Sequence, residues 1–212
     1  MNLESIFQKL QIQDMNQMQK STYTATENET DVILLSPTGS GKTLAFLFPL
    51  LRNLKKENTG IQAMILVPAR ELALQIEQVF KQMGTDFKVS ICYGGHDKKI
   101  EINNFREAPA VLIGTPGRIA YHLRNQNFDP TTIKTLVLDE FDKALELGFE
   151  EDMNEIIEAL ENNSQRILTS ATAMDKIPDF VGLKNEKTIN FLKLQETKPD
   201  IQLRKVMTIS EE

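Results

Sequence analysis

Val32-Ile33-Leu34-Leu35-Ser36-Pro37-Thr38-Gly39-Ser40-Gly41-Lys42-Thr43 is an apolar run that breaks into a small-residue turn carrying a lysine and a threonine. Four consecutive apolar residues bounded by a turn read as a strand buried on both faces. The turn reads as a phosphate-binding loop. Gly39 and Gly41 lack a Cβ, so backbone N–H groups can turn inward on an anion. A helix beginning near Gly41 points its positive end at the same place. Thr38 and Ser40 complete the loop, Lys42 reaches the β- and γ-phosphates, and Thr43 offers its hydroxyl to Mg²⁺. The usual loop opens with Gly, and Ser36 stands there in this chain.

Outward from this loop, short β-branched or leucine-rich runs alternate with helical stretches. Strands are expected at 32–35, 63–67, 87–92, 110–113, 135–138, 166–169 and 187–191. Helices are expected near 42–55, 70–83, 97–107, 116–124, 150–162 and 175–183, with another over 2–13. Leu72, Ile76, Val79, Phe80 and Met83 share one face of the 70–83 stretch, as an amphipathic helix requires. Apolar strands alternating with helices give an α/β fold with a mostly parallel central sheet covered on both faces. Ligands of such sheets sit outside the carboxyl ends of the strands.

A chain of 212 residues holds one well-packed α/β domain. A net charge of −6 argues against holding nucleic acid by bulk charge, so any such binding must use a local surface. The longest apolar run, near Leu44–Leu51, is too short to span a membrane. A lone cysteine, Cys92, excludes an internal disulfide and fits a reducing, cytoplasmic setting. With only His96 and His122 besides it, a dedicated zinc site is not expected.

Each remaining motif follows a strand. Asp139-Glu140-Phe141-Asp142 follows 135–138: a phosphate loop needs a carboxylate at another strand tip for Mg²⁺, which suits Asp139, and Glu140 beside it is placed to deprotonate water. Ser170-Ala171-Thr172 follows 166–169 and alone reads as a cap or turn. Pro68-Ala69-Arg70-Glu71-Leu72-Ala73, Tyr93-Gly94-Gly95 and Thr115-Pro116-Gly117-Arg118 follow three more strands. They supply a guanidinium each from Arg70 and Arg118, hydroxyls and open backbone donors suited to phosphate oxygens.

In this order the motifs resemble the first RecA-like domain of DEAD-box RNA helicases, over about residues 19–191. The resemblance implies a RecA-like P-loop NTPase fold and a chain that is the ATP-binding half of an ATP-dependent RNA helicase. Lys42 and Thr43 would bind ATP and Mg²⁺, Asp139 would hold Mg²⁺ through water, and Glu140 would be the catalytic base. Asp142, Ser170 and Thr172 would couple ATP state to RNA grip. Arg70, Gly95, Thr115, Gly117 and Arg118 would contact the RNA sugar–phosphate backbone independently of sequence. Adenine would be read by a glutamine in an amino-terminal segment of about 1–30. Gln19 is the better match and Gln17 its neighbour, with Phe7 the candidate aromatic.

The chain departs from the family pattern at Phe141, where Ala is usual, and at Ala69, where Thr is usual. Phe141 is expected to face the core. Nothing after Thr172 resembles the arginine-rich motif of the family's second RecA-like domain. Residues 1–192 are therefore read as the first domain, with 193–212 a linker toward a second. The chain alone is expected to be a monomer and nearly inactive. Two rivals remain: half of a DNA-directed helicase or translocase, and a nucleotide-switched RNA-binding module without catalysis.

Overall fold

The computed structural model describes residues 3–28, 31–160, 164–174 and 176–192. Its centre is built from the apolar runs. Strands β1 (Val32–Leu35), β2 (Ala63–Leu66), β3 (Val89–Cys92), β4 (Val111–Gly114), β5 (Thr135–Leu138), β6 (Gln165–Ser170) and β7 (Lys187–Asn190) form one sheet in the order β3-β4-β2-β5-β6-β1-β7. Every pairing is parallel.

Period-two alternation along each strand divides the core between two faces. Ala63, Ile65 and Val67 join one cluster, with side chains of α1 (Leu3–Leu10), α3 (Lys42–Asn53) and α4 (Arg70–Gln82). Met64 and Leu66 join the opposite cluster, with α6 (Pro116–Arg124), α7 (Phe141–Glu146) and α8 (Glu150–Ala159). The helices α2 (Gln17–Ala25) and α5 (Lys98–Phe105) complete the set. Met18 and Ala25 of α2 pack with Val32, Leu34 and Ile189 beside the sheet's β1–β7 edge. Phe46, Phe48, Phe80 and Phe141 are all fully buried, and each contributes about 1.5–3 kcal/mol by leaving water.

The parallel register brings the strand ends to one edge. Leu35 pairs with Ser170 and Asn190, Leu66 with Gly114 and Leu138, and Cys92 with Gly114. Every motif loop leaves from this edge. The β3–β4 contact is close: a Cβ on Gly114 would lie 2.4 Å from the Cys92 carbonyl oxygen, so only glycine fits there.

Two expected elements differ. The amino-terminal stretch is two helices, the second opened by a capping box in which Asn16 and Gln19 bond reciprocally. The helix expected over 175–183 is a 3-10 turn, Asp179–Val181, held short by Pro178 before it and left-handed Gly182 (φ 61°) after it. The linker reading for 193–212 lies outside the described residues. Among the described residues no helix is long and apolar enough to cross a membrane.

Candidate active site

The loop between β1 and α3 is held by its own lysine. Lys42 is buried, and its ammonium donates to the carbonyls of Ser36 at 2.6 Å and Pro37 at 3.0 Å. Burial lowers its pKa, and the charges of Asp139, Glu140 and Asp142 oppose that fall. Ser36, fully buried, bonds hydroxyl to hydroxyl with Ser40, so the serine in the usual glycine place adds a tie across the loop. Gly41 begins α3 at φ 94°.

Facing this loop, Asp139 and Glu140 leave the tip of β5. A cleft of about 390 Å³ is lined by Thr38, Gly39, Lys42, Thr43, Asp139 and Glu140, with Gln75 of α4 beside them. Asp139 is 5 % exposed. Burial pushes its pKa up to about 6, Glu140 adds to the rise, and the Thr169 hydroxyl and Lys42 oppose it. Thr169 is fully buried; its Oγ1 donates to Asp139 Oδ1 at 2.6 Å and accepts the Glu140 N–H at 3.2 Å. One hydroxyl thus holds the Asp139 carboxylate and the backbone of Glu140, which is left-handed at φ 49°. The sequence reading passed over Thr169; its signal was a hydroxyl at the end of an apolar strand beside the acidic strand tip.

Asp142 ties this group to the next motif. The Thr172 hydroxyl donates to Asp142 Oδ2 at 2.8 Å, and Ser170 Oγ braces Thr172 by donating to its carbonyl at 2.7 Å and accepting its N–H at 3.1 Å. The other Asp142 oxygen, Oδ1, is buried without a hydrogen-bond partner among the described residues. Phe141 turns into the core and meets Phe180 at 6.3 Å between ring centroids.

Gln19 sits against the loop. Its Oε1 accepts the Asn16 N–H at 2.9 Å and its Nε2 donates to the Gly41 carbonyl at 3.2 Å. One lone pair and one amide proton remain for a ligand. Gln17 is exposed. Phe7 packs edge-on against Phe48, 5.7 Å between centroids, and does not line the cleft.

The strand order separates the motifs along the edge. The loops after β3, β4 and β2 are neighbours and carry Gly95, Thr115, Gly117, Arg118 and Arg70; the loops that carry Asp139 and Glu140, Ser170 and Thr172, and Gly39 and Gly41 follow β5, β6 and β1. Arg70 is exposed and pairs with Glu71 at 2.7 Å. Gly94 and Gly95 are exposed. The Arg118 side chain turns inward and is 9 % exposed.

Residues 16–180 match the profile of the DEAD/DEAH box helicase family. The chain belongs to that family. This DEAD-box chain is 40 % identical over 162 residues to the ATP-dependent RNA helicase CshA of Limosilactobacillus reuteri, covering 76 % of this chain and 33 % of that protein. It is 36 % identical over 190 residues to the ATP-dependent rRNA helicase RRP3 of Encephalitozoon cuniculi, covering 88 % and 48 %. The chain thus spans a third to a half of these relatives. The crystal structure of a DEAD box protein from the hyperthermophile Methanococcus jannaschii superposes with a TM-score of 0.81 at 29 % identity, over 89 % of this chain and 52 % of that one. The RecA-like fold expected from the motifs is the fold of this DEAD-box chain.

Proposed function

We propose that this chain is the ATP-binding half of an ATP-dependent RNA helicase. The observation that carries the reading is a cleft that sets Lys42 and Thr43 against Asp139 and Glu140, with Thr169 bonded to Asp139 and to the Glu140 N–H and, two residues on, Asp142 bonded to Thr172. It joins a phosphate cradle to a hydrolytic carboxylate and then to a motif that leads away from the nucleotide.

In this reading the backbone of residues 38–43 holds the ATP phosphates and Lys42 neutralises them. The donor set suits a hard divalent cation: Thr43 supplies a hydroxyl, and Asp139 a buried carboxylate that lines the same cleft. Mg²⁺ there would neutralise charge that develops on the phosphates. Glu140, fixed through its N–H by Thr169, is placed to take a proton from the attacking water. Thr172 and Asp142 then pass the state of the nucleotide to the strip carrying Arg70, Gly95, Thr115 and Gly117, where RNA backbone would lie. A second RecA-like domain, which the resemblance implies, would close over both ligands and add arginines worth roughly 10³–10⁵ in rate in related P-loop enzymes.

The test is calorimetric titration of this chain with Mg-ADP and Mg-GDP, repeated with Gln19→Ala, alongside binding of single-stranded RNA and DNA. The reading expects ADP preference that Gln19→Ala removes, and RNA preferred over DNA. No nucleotide binding would overturn it, and preference for DNA would transfer it to the DNA-directed rival.

A further inference from the structure

Glu101 lies on α5 and has no exposure to solvent. A carboxylate buried without partners costs several kcal/mol, so its surroundings decide what it does. Three hydrogen-bonding groups and one guanidinium enclose it. Oε1 accepts the Tyr93 N–H at 3.2 Å and meets His96 Nδ1 at 3.0 Å. Oε2 meets His122 Nε2 at 2.7 Å and Arg118 Nε at 3.0 Å. The Asn127 amide, 2.9 Å from His122 Nδ1, assigns the His122 proton to Nε2 when it donates. Burial alone would raise the Glu101 pKa; the bonds from His122 and His96 and the Arg118 charge more than reverse this and hold it below the usual value.

Ligand atoms of Cys92, Glu101 and His122 lie within 4.8 Å of one another, a spacing that would suit a metal ion. Arg118 decides against one, because its guanidinium already supplies the cation at Oε2. Burial also pushes the Cys92 thiol well up, away from the thiolate that a metal needs.

The same guanidinium is turned inward, on a side chain 9 % exposed. Its Nε also lies 3.1 Å from the Tyr93 carbonyl and its terminal nitrogen donates to the His96 carbonyl. These carbonyls bracket Gly94 and Gly95, the latter at φ 87°. Glu101 grips the same loop through the Tyr93 N–H and the His96 ring. On the neighbouring strand, the Thr115 N–H donates to the Cys92 carbonyl at 3.1 Å and sets the start of α6 beside the loop.

We propose that Glu101 and Arg118 are a buried positioning pair that fixes the Tyr93–His96 loop against the start of α6, so that this strip offers RNA phosphates backbone N–H donors and not the Arg118 charge. The RNA half rests on the function proposed above; the clamp does not.

The test uses the chain with Glu101→Gln, Arg118→Lys, Arg118→Ala and the Glu101→Gln/Arg118→Ala double variant. Glu101→Gln is nearly isosteric and keeps the question open if Arg118→Ala fails to fold. Amide NMR reads the Gly94 and Gly95 resonances, anisotropy reads a single-stranded oligouridine, and calorimetry reads Mg-ADP. The clamp predicts that both glycine amides move in every variant while ADP affinity holds. Lysine, a point charge, cannot span Glu101 and two carbonyls, so Arg118→Lys should lose about tenfold in RNA affinity, as the alanine variant does. The double variant should lose no more than either single change. Wild-type RNA affinity in both Arg118→Lys and Glu101→Gln would overturn the positioning role, and a loss confined to Arg118→Ala would make the positive charge at 118 a direct phosphate contact. Unmoved glycine amides would overturn the clamp whatever RNA does. Moved amides in a chain that binds no RNA would uphold the clamp and refute the RNA reading instead.

Discussion

Asp139→Asn should make this protein more stable, and the gain should grow with pH. The fold holds the Asp139 carboxyl almost out of water, and burial, the largest cause, moves its pKa from 3.8 to about 6. The folded pKa is therefore above the unfolded one. As pH rises past about 3.8 the unfolded chain gives up this proton first, and stability falls until the folded group ionises near pH 6. Two pKa units correspond to about 3 kcal/mol. Asparagine has nearly the same shape and can still accept from Thr169, so it removes the charge and leaves that bond. Its stabilisation should be about 1 kcal/mol near pH 4.5 and about 3 kcal/mol near pH 7.5. Urea unfolding midpoints of both proteins, without divalent cations, measure this, and the difference between them cancels the other carboxylates. The same substitution should abolish Mg²⁺-dependent tightening of nucleotide. A stabilisation that stays flat across this range, or a loss of stability at the higher pH, would refute the claim that Asp139 is held charged against a desolvation cost.

Glu140→Gln should leave Mg-ADP affinity intact while lowering hydrolysis by about 10²–10⁴ in a protein that joins this chain to a second RecA-like domain, read in a steady-state ATPase assay. Gly114→Ala forces a Cβ to 2.4 Å from the Cys92 carbonyl and should cost about 1–3 kcal/mol in urea unfolding, with the β3–β4 pairing the first to show amide exchange. Cys92 is buried and its thiol pKa is raised, so iodoacetamide should not modify the native chain at neutral pH and should do so once urea unfolds it; rapid native labelling would contradict that burial.

The turn at 36–41 and the strands at 32–35 and 135–138 were legible because four-residue apolar runs ending in turns have few other readings. The helix at Gln17–Ala25 was not. Its Thr- and Ser-rich sequence has weak helix propensity and no clear apolar stripe, and its one local signal is the Asn16–Gln19 capping box. Helix α7 was hidden because its first residues read as an acidic turn. The region of 175–183 looked helical by its apolar content, but Pro178 and Gly182 left room for a single turn. Thr169 and Glu101 show a deeper limit. Glu101 meets Arg118 and His122 only because parallel strands β3 and β4 bring their following segments together. No periodicity along the chain encodes that contact, and a lone glutamate on a polar helix reads as solvated.

The strand that carries the phosphate loop also sets when the loop can form during synthesis. Among the described residues β1 pairs with β6 and β7, and β6 begins at Gln165, well over a hundred residues downstream. A ribosome adding about 5–20 residues per second leaves the Val32–Leu35 segment without its sheet partners for roughly 7–27 seconds. Throughout that interval an apolar, β-prone segment is open to other chains, which makes it the natural target for a chaperone on the nascent polypeptide. A closed 36–41 loop then becomes a report that nearly the whole domain has been made.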